Sequence, residues 1–116
     1  MNKSTINEMD DAINKVTIWS MNRGLCFASP QAQFLKVAEE VGELAQGIAK
    51  DKPDQIVDSF GDVLVTLIVL NQQLRMQRVI DKGIGDCLQI AYQEIKDRKG
   101  KMVNGVFVKE EDLNDE

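Results

Sequence analysis

A chain of 116 residues, 43% of them apolar, supplies one core of ordinary size and reads as a single domain over residues 1–116. Its formal net charge of -5 lacks the clustered positive charge that tracks long nucleic acids, which excludes polymeric DNA or RNA as a partner. The absence of histidine removes Ser-His and Cys-His nucleophile pairs and imidazole metal ligands, so carboxylates, lysines, arginines and hydroxyls must carry any chemistry.

The first thirty residues hold no continuous apolar stretch of the signal-peptide kind, and the longest apolar run, Val63 to Leu70, is too short to span a bilayer. The expectation is a cytoplasmic protein with no membrane partner. From Ser4 to Met21, Ile6, Met9, Ile13, Val16 and Trp19 or Ser20 recur at helical steps and predict a first helix with one buried stripe. Gly24 breaks the pattern. Ser29-Pro30 then signals a new start, serine as N-cap and proline at the first helical position. The second helix is predicted from Pro30 to Lys50, with Phe34, Val37, Val41, Leu44, Ala45 and Ile48 as its apolar stripe. "DKPD" separates it from a third, Asp54 to Arg78, because Pro53 is tolerated only at a helix start.

Within the third helix, Val63 to Leu70 is apolar on nearly every side, which predicts neighbours all round it. Gly83 and Gly85 mark a turn, Asp86 is the expected cap of a fourth helix carrying Leu88, Ala91 and Ile95, and Gly100 its expected stop. "MVNGVFV" places Asn-Gly between apolar residues, a hairpin signal. The acidic tail, residues 109–116, is expected to be solvated and frayed. Cys26 and Cys87 lack CxxC spacing and read as small core residues. The fold class is therefore all-α: a four-to-five-helix bundle with a short C-terminal β-hairpin. Four helices cannot surround one of their own number, so helix 3 is expected to be shared in the core of a homodimer or homotetramer.

The carboxylates carry the chemistry. Residues three and four apart share a helix face, so Glu39, Glu40 and Glu43 converge, as do Asp58 and Asp62. Acids on a helix are commonly a solvated face, paired here with Lys36, Lys50 or Lys52. Two features weigh against that reading. Gly42 and Gly61 each cost about 1 kcal/mol relative to alanine inside a helix, which suggests that two helices approach closely beside the acids. Asp62 also opens an apolar run, where an unpaired carboxylate is expensive. With oxygen ligands only, the candidate partner is a hard divalent cation, Mg²⁺, with Mn²⁺ as a substitute.

"EEVGELAQGIAK" followed by "DSFGDVLVTL", with "RGL" upstream and "AYQEIKDRKGKMVNGVFVKEEDL" downstream, resembles the MazG-like branch of the all-α nucleoside triphosphate pyrophosphohydrolases, from about Ile13 to Leu113. The family pattern is E-x-x-E on one helix and E-x-x-D on the next, together ligating Mg²⁺. Glu40 and Glu43 match the first pair and Asp62 the final acid. Ser59 stands where the third glutamate is usual, and Asp58 is the expected substitute.

The resemblance implies cleavage of a (deoxy)nucleoside triphosphate between the α and β phosphates, in a nucleotide-pool-cleaning role, with metal-bound water attacking the α-phosphorus. Glu39 is then the candidate for orienting or deprotonating that water, or else a solvent-facing glutamate. Lys96, Arg98 and Lys101 are the candidate phosphate contacts and Trp19, or Phe27, a candidate stack for a base, with core packing the alternative for both aromatics. Two rival functions remain. A non-catalytic helical dimerisation or interaction module would bind no metal. A related pyrophosphohydrolase would act on another nucleotide such as phosphoribosyl-ATP.

Overall fold

The computed structural model of the chain describes residues 3–113, with side chains from residue 8 onward. The side chain of Ile6, assigned to the first stripe by its spacing, and the last three residues of the acidic tail lie outside what is described. Five α-helices and one two-stranded sheet follow in order among the described residues: α1 (Lys3–Asn22), α2 (Pro30–Ala49), α3 (Pro53–Met76), α4 (Ile84–Ile95), β1 (Gly100–Val103), β2 (Val106–Lys109) and α5 (Glu110–Leu113), with a short 3-10 helix at Leu25–Phe27 between α1 and α2. The architecture is all-α with a C-terminal hairpin, as the periodicity predicts. The chain divides into two compact units, one ending at Ile84 and the other beginning at Gly85.

In the first unit, α2 starts where Ser29-Pro30 says it should. The Ser29 hydroxyl accepts from the Ala32 amide at 3.3 Å, which satisfies one of the four amides a helix start leaves unpaired. The three residues Lys50–Lys52 then reverse the chain, with Pro53 at the start of α3. So short a connection forces the two helices antiparallel and side by side. They approach closely at Gly47, where an added Cβ would lie 3.2 Å from Gln55 Cγ and 3.3 Å from Ile56 Cγ1. This corrects the expectation for Gly42 and Gly61, which both face open space. The close approach belongs to the closed end of the hairpin, where the turn draws the helices together.

Glutamine side chains fasten these helices. Gln33 Nε2 donates to the Thr66 carbonyl at 3.1 Å, and Gln55 Nε2 to the Glu43 carbonyl at 3.0 Å. From the C-terminal half of α3, Gln72 Nε2 reaches the Thr17 carbonyl of α1 at 3.1 Å and Gln73 Nε2 the Leu25 carbonyl at 2.9 Å. Both amides are buried, on the face that Ile68 and Val69 continue. Each therefore needs the partner it has, because a buried amide without one costs about 1–3 kcal/mol.

Several apolar residues stand differently from their expected places. Cys26, Val37, Ile68 and Val69 are buried, but Phe34, Val41 and Ile48 of α2 are more exposed than buried side chains, as are Val57, Phe60 and Leu64 of α3. Trp19 and Phe27 do not pack in the core. Within one chain α3 packs against α2, α1 and the 3-10 helix, and of its apolar run only Leu64 stays exposed. Cys87 is half-buried.

The second unit is described by itself. Its helix begins at Ile84, so Asp86 falls in the first turn and is not the cap; there its charge suits the positive end of the helix. The helix ends at Ile95, and Gly100 is no stop but the first residue of β1, paired with Lys109. Val103 faces Val106 across the turn. Asn104 and Gly105 take φ of 51° and 80°, the two left-handed residues of the turn that matches strand twist, for which Asn-Gly is the favoured pair. Part of the tail expected to be frayed forms α5 instead, with the Glu110 amide donating to the Lys99 carbonyl at 2.8 Å.

Candidate metal centre

The antiparallel α2–α3 hairpin brings the acids of one helix opposite those of the next. Glu40 and Glu43 lie one turn apart on α2, and Asp62 lies across from them on α3. One carboxylate oxygen from each falls within 4.8 Å of the other two. Glu40 and Asp62 are half-buried and Glu43 is exposed, so the cluster sits at the edge of the apolar contact. Gln55, fixed on the Glu43 carbonyl, holds the two helices in register beside it. That amide carries no sequence signal of its own; only the hairpin pairing reveals it.

Glu40 is the electrostatic centre of the group. Its carboxyl is held above the usual glutamate range, first by burial, then by the negative charges of Glu43 and Asp62, by a proton it can share with Glu43, and last by Glu39. Its Oε2 is buried with no hydrogen-bond partner. Three carboxylates so placed, one with an unpartnered buried oxygen, could hold a hard cation, which takes oxygen ligands.

The remaining predicted residues are placed as follows. Asp58 is exposed and outside the carboxylate group. At 100° per residue it is turned away from the buried neighbour Ser59, which is 2% exposed and occupies the contact face of α3. Glu39 is exposed and pairs with Lys36 at 3.6 Å. Trp19 is 41% exposed, with the Arg23 guanidinium 4.7 Å from its ring centroid. Trp19, Lys15, Val16 and Val65 line a shallow apolar recess of about 380 Å³. Val65 stands three residues after Asp62, so this recess touches α3 one turn from the carboxylates.

Lys96, Arg98 and Lys101 all lie exposed in the second unit. Arg98 lines an open recess of about 400 Å³ there, together with Lys99 and Lys109 and the acids Glu94, Asp97, Glu110 and Glu111. No helix among the described residues is long and apolar enough to cross a membrane.

The family model of the MazG nucleotide pyrophosphohydrolase domain matches residues 28–99, a span that contains all three clustered acids. A protein of Haemophilus phage HP1 (strain HP1c1), named "Uncharacterized 18.2 kDa protein in rep-hol intergenic region", is 41% identical over 76 residues, covering 65% of this chain and 47% of that relative. The chain thus aligns with about half the length of the phage protein. No solved structure matches the chain.

Proposed function

Because the chain belongs to the MazG nucleotide pyrophosphohydrolase family, we propose that it hydrolyses (deoxy)nucleoside triphosphates to the nucleoside monophosphate and pyrophosphate, clearing unwanted nucleotides from the cytoplasmic pool. The convergence of Glu40, Glu43 and Asp62, with a buried Glu40 oxygen lacking a partner, carries the proposal. These three side chains are the proposed ligands of Mg²⁺, or of Mn²⁺ in its place. When bound, such a cation neutralises triphosphate charge and lowers the pKa of a coordinated water.

The chain's own residues do the rest. Glu39, next to the ligand Glu40 and open to solvent, accepts the proton as the water oxygen bonds to the α-phosphorus. The α-phosphorus then releases the bridging oxygen, and the electron pair leaves with pyrophosphate. Lys96, Arg98 and Lys101, exposed on the second unit, are the proposed phosphate contacts, since an acidic protein that takes a polyanion needs local positive charge. Trp19, with its apolar recess one turn from Asp62, offers a face for the base.

The same reading makes the active form a homodimer or homotetramer. Val57, Phe60 and Leu64 form one exposed stripe along α3, at i, i+3 and i+7, and Phe34, Val41 and Ile48 another along α2, at i, i+7 and i+14.

A panel of nucleoside triphosphates with Mg²⁺, scored for pyrophosphate against orthophosphate, tests the reaction. Pyrophosphate is expected, with Asp62→Asn lowering the rate about 100-fold or more and Asp58→Asn lowering it less. Orthophosphate as the first product would rule out attack at the α-phosphorus.

A further inference from the structure

We propose that Arg75 and Arg78, at the C-terminal end of α3, form a second anion site that takes the phosphate of a phosphorylated small molecule, apart from the carboxylate cluster. The first observation is backbone geometry. Helices α2 and α3 end in the same hydrogen-bonded motif. Lys52 N donates to the Gly47 carbonyl at 3.0 Å and Asp51 N to the Ile48 carbonyl at 3.2 Å; Val79 N donates to the Leu74 carbonyl and Arg78 N to the Arg75 carbonyl, both at 3.0 Å. In each motif one residue must turn left-handed, Asp51 at φ 51° and Arg78 at φ 61°. Glycine is usual there, and aspartate is among the few side chains that visit this region readily. Arginine is not, so Arg78 holds its place against its own backbone preference, which points to its side chain as the reason.

The second observation is a fixed partner. Arg75 Nε donates to Asn71 Oδ1 at 2.9 Å, and the buried Asn71 in turn donates from Nδ2 to the Lys82 carbonyl at 3.1 Å. One buried amide thus orients the Arg75 guanidinium and ties down the chain that follows Arg78. Both arginines, exposed themselves, line an open recess of about 610 Å³ with Val79, Ile80 and Asp81. Among the described residues neither arginine has a carboxylate within 4.0 Å, while Asp81 is paired with Lys82 at 3.4 Å. Two guanidiniums without counter-ions, in a chain of net charge -5, match the forked geometry by which arginine holds phosphate. Offsetting the helix dipole explains a cation at position 75 but not a left-handed arginine at 78. Along α3, a rise of about 1.5 Å per residue separates Arg75 from Asp62 by roughly 20 Å.

Calorimetry on the full chain in EDTA tests the site, with inorganic phosphate and adenosine monophosphate as probes. EDTA removes any metal-held anion, and Arg98→Gln alongside separates this site from the phosphate contacts proposed for hydrolysis, so the two readings can fail separately. Saturable binding of either probe is expected, weakened about tenfold or more by Arg75→Gln and by Arg78→Gly, the loss typical of one charge-assisted contact. Arg78→Gly should also raise the melting temperature, since glycine relieves the backbone, which shows that its lost binding is not lost folding. The proposal is overturned if neither probe binds, if binding survives both substitutions, or if Arg98→Gln abolishes it while Arg75→Gln does not.

Discussion

Glu40 is disfavoured in its ionised form once the chain folds, and the sign of that effect is measurable. Its folded-state carboxyl is held above the usual glutamate range by burial and by its acidic neighbours. In metal-free protein its contribution to stability is therefore fully present below the ordinary glutamate range. That contribution is lost as pH rises through the raised value. Glu40→Gln, which keeps the shape and loses the charge, should flatten this decline in EDTA and melt higher than the native protein at neutral pH. It should also lose the thermal upshift that Mg²⁺ gives the native protein. Melting curves against pH, with and without Mg²⁺, check both outcomes, and a Glu40→Gln protein that melts lower in EDTA would contradict them. At this scale helical spacing grouped Glu39 with Glu40 and Glu43, and Asp58 with Asp62, and the resemblance to the MazG-like pattern singled out Glu40, Glu43 and Asp62 from them. The sequence could not disclose that Ser59 takes the contact face and leaves Asp58 in solvent, since that depends on how α3 is rotated against α2.

For the helices, the legible parts were those governed by local chemistry. Ser29-Pro30 and Pro53 marked starts that hold in the structure, and Asn104-Gly105 fixed the hairpin turn. The misplaced boundary at Asp86 and the misplaced stop at Gly100 came from reading a residue by its habit alone, whereas pairing with Lys109 claims Gly100 for a strand. The mid-helix glycines divide in the same way. At Gly42 nothing lies within 4 Å of an added Cβ, so Gly42→Ala should stabilise the chain by about 1 kcal/mol through helix propensity. At Gly47 the added carbon would lie 3.2 Å from Gln55 Cγ and 3.3 Å from Ile56 Cγ1, which must give by a few tenths of an ångström, so Gly47→Ala should leave the chain roughly 1–3 kcal/mol less stable than Gly42→Ala does. Urea titrations give a lower midpoint for Gly47→Ala than for Gly42→Ala if the helices crowd each other at the closed end of the hairpin. The glutamines that cross between helices escaped the sequence reading because a buried amide looks like a surface one until its partner carbonyl is known.

Among the described residues only Cys26, Val37, Ile68 and Val69 are buried hydrophobic side chains, while many large ones stay exposed. Val57 is 73% exposed, and Phe60 and Leu64 follow it on the same face, a stripe that water covers poorly. If copies of the chain associate through it, Phe60→Asp should shift the species seen by sedimentation towards monomer and lower the melting temperature, whereas the native protein sediments as a dimer or larger. A native monomer at micromolar concentration would remove the oligomer from the proposed function. The apolar run of α3 made such sharing legible as an expectation, but which stripe faces which copy is not written in one sequence. The tight reversal at Lys50–Lys52 has a consequence for how the chain reaches its native state. Because Glu40, Glu43 and Asp62 belong to consecutive stretches, their pocket is a product of short-range chain closure, complete as soon as one helical hairpin zips up and independent of when either terminus finds its place. Spacer residues inserted at the reversal should therefore be tolerated, each doubling of the loop costing only about 0.6 kcal/mol of closure entropy.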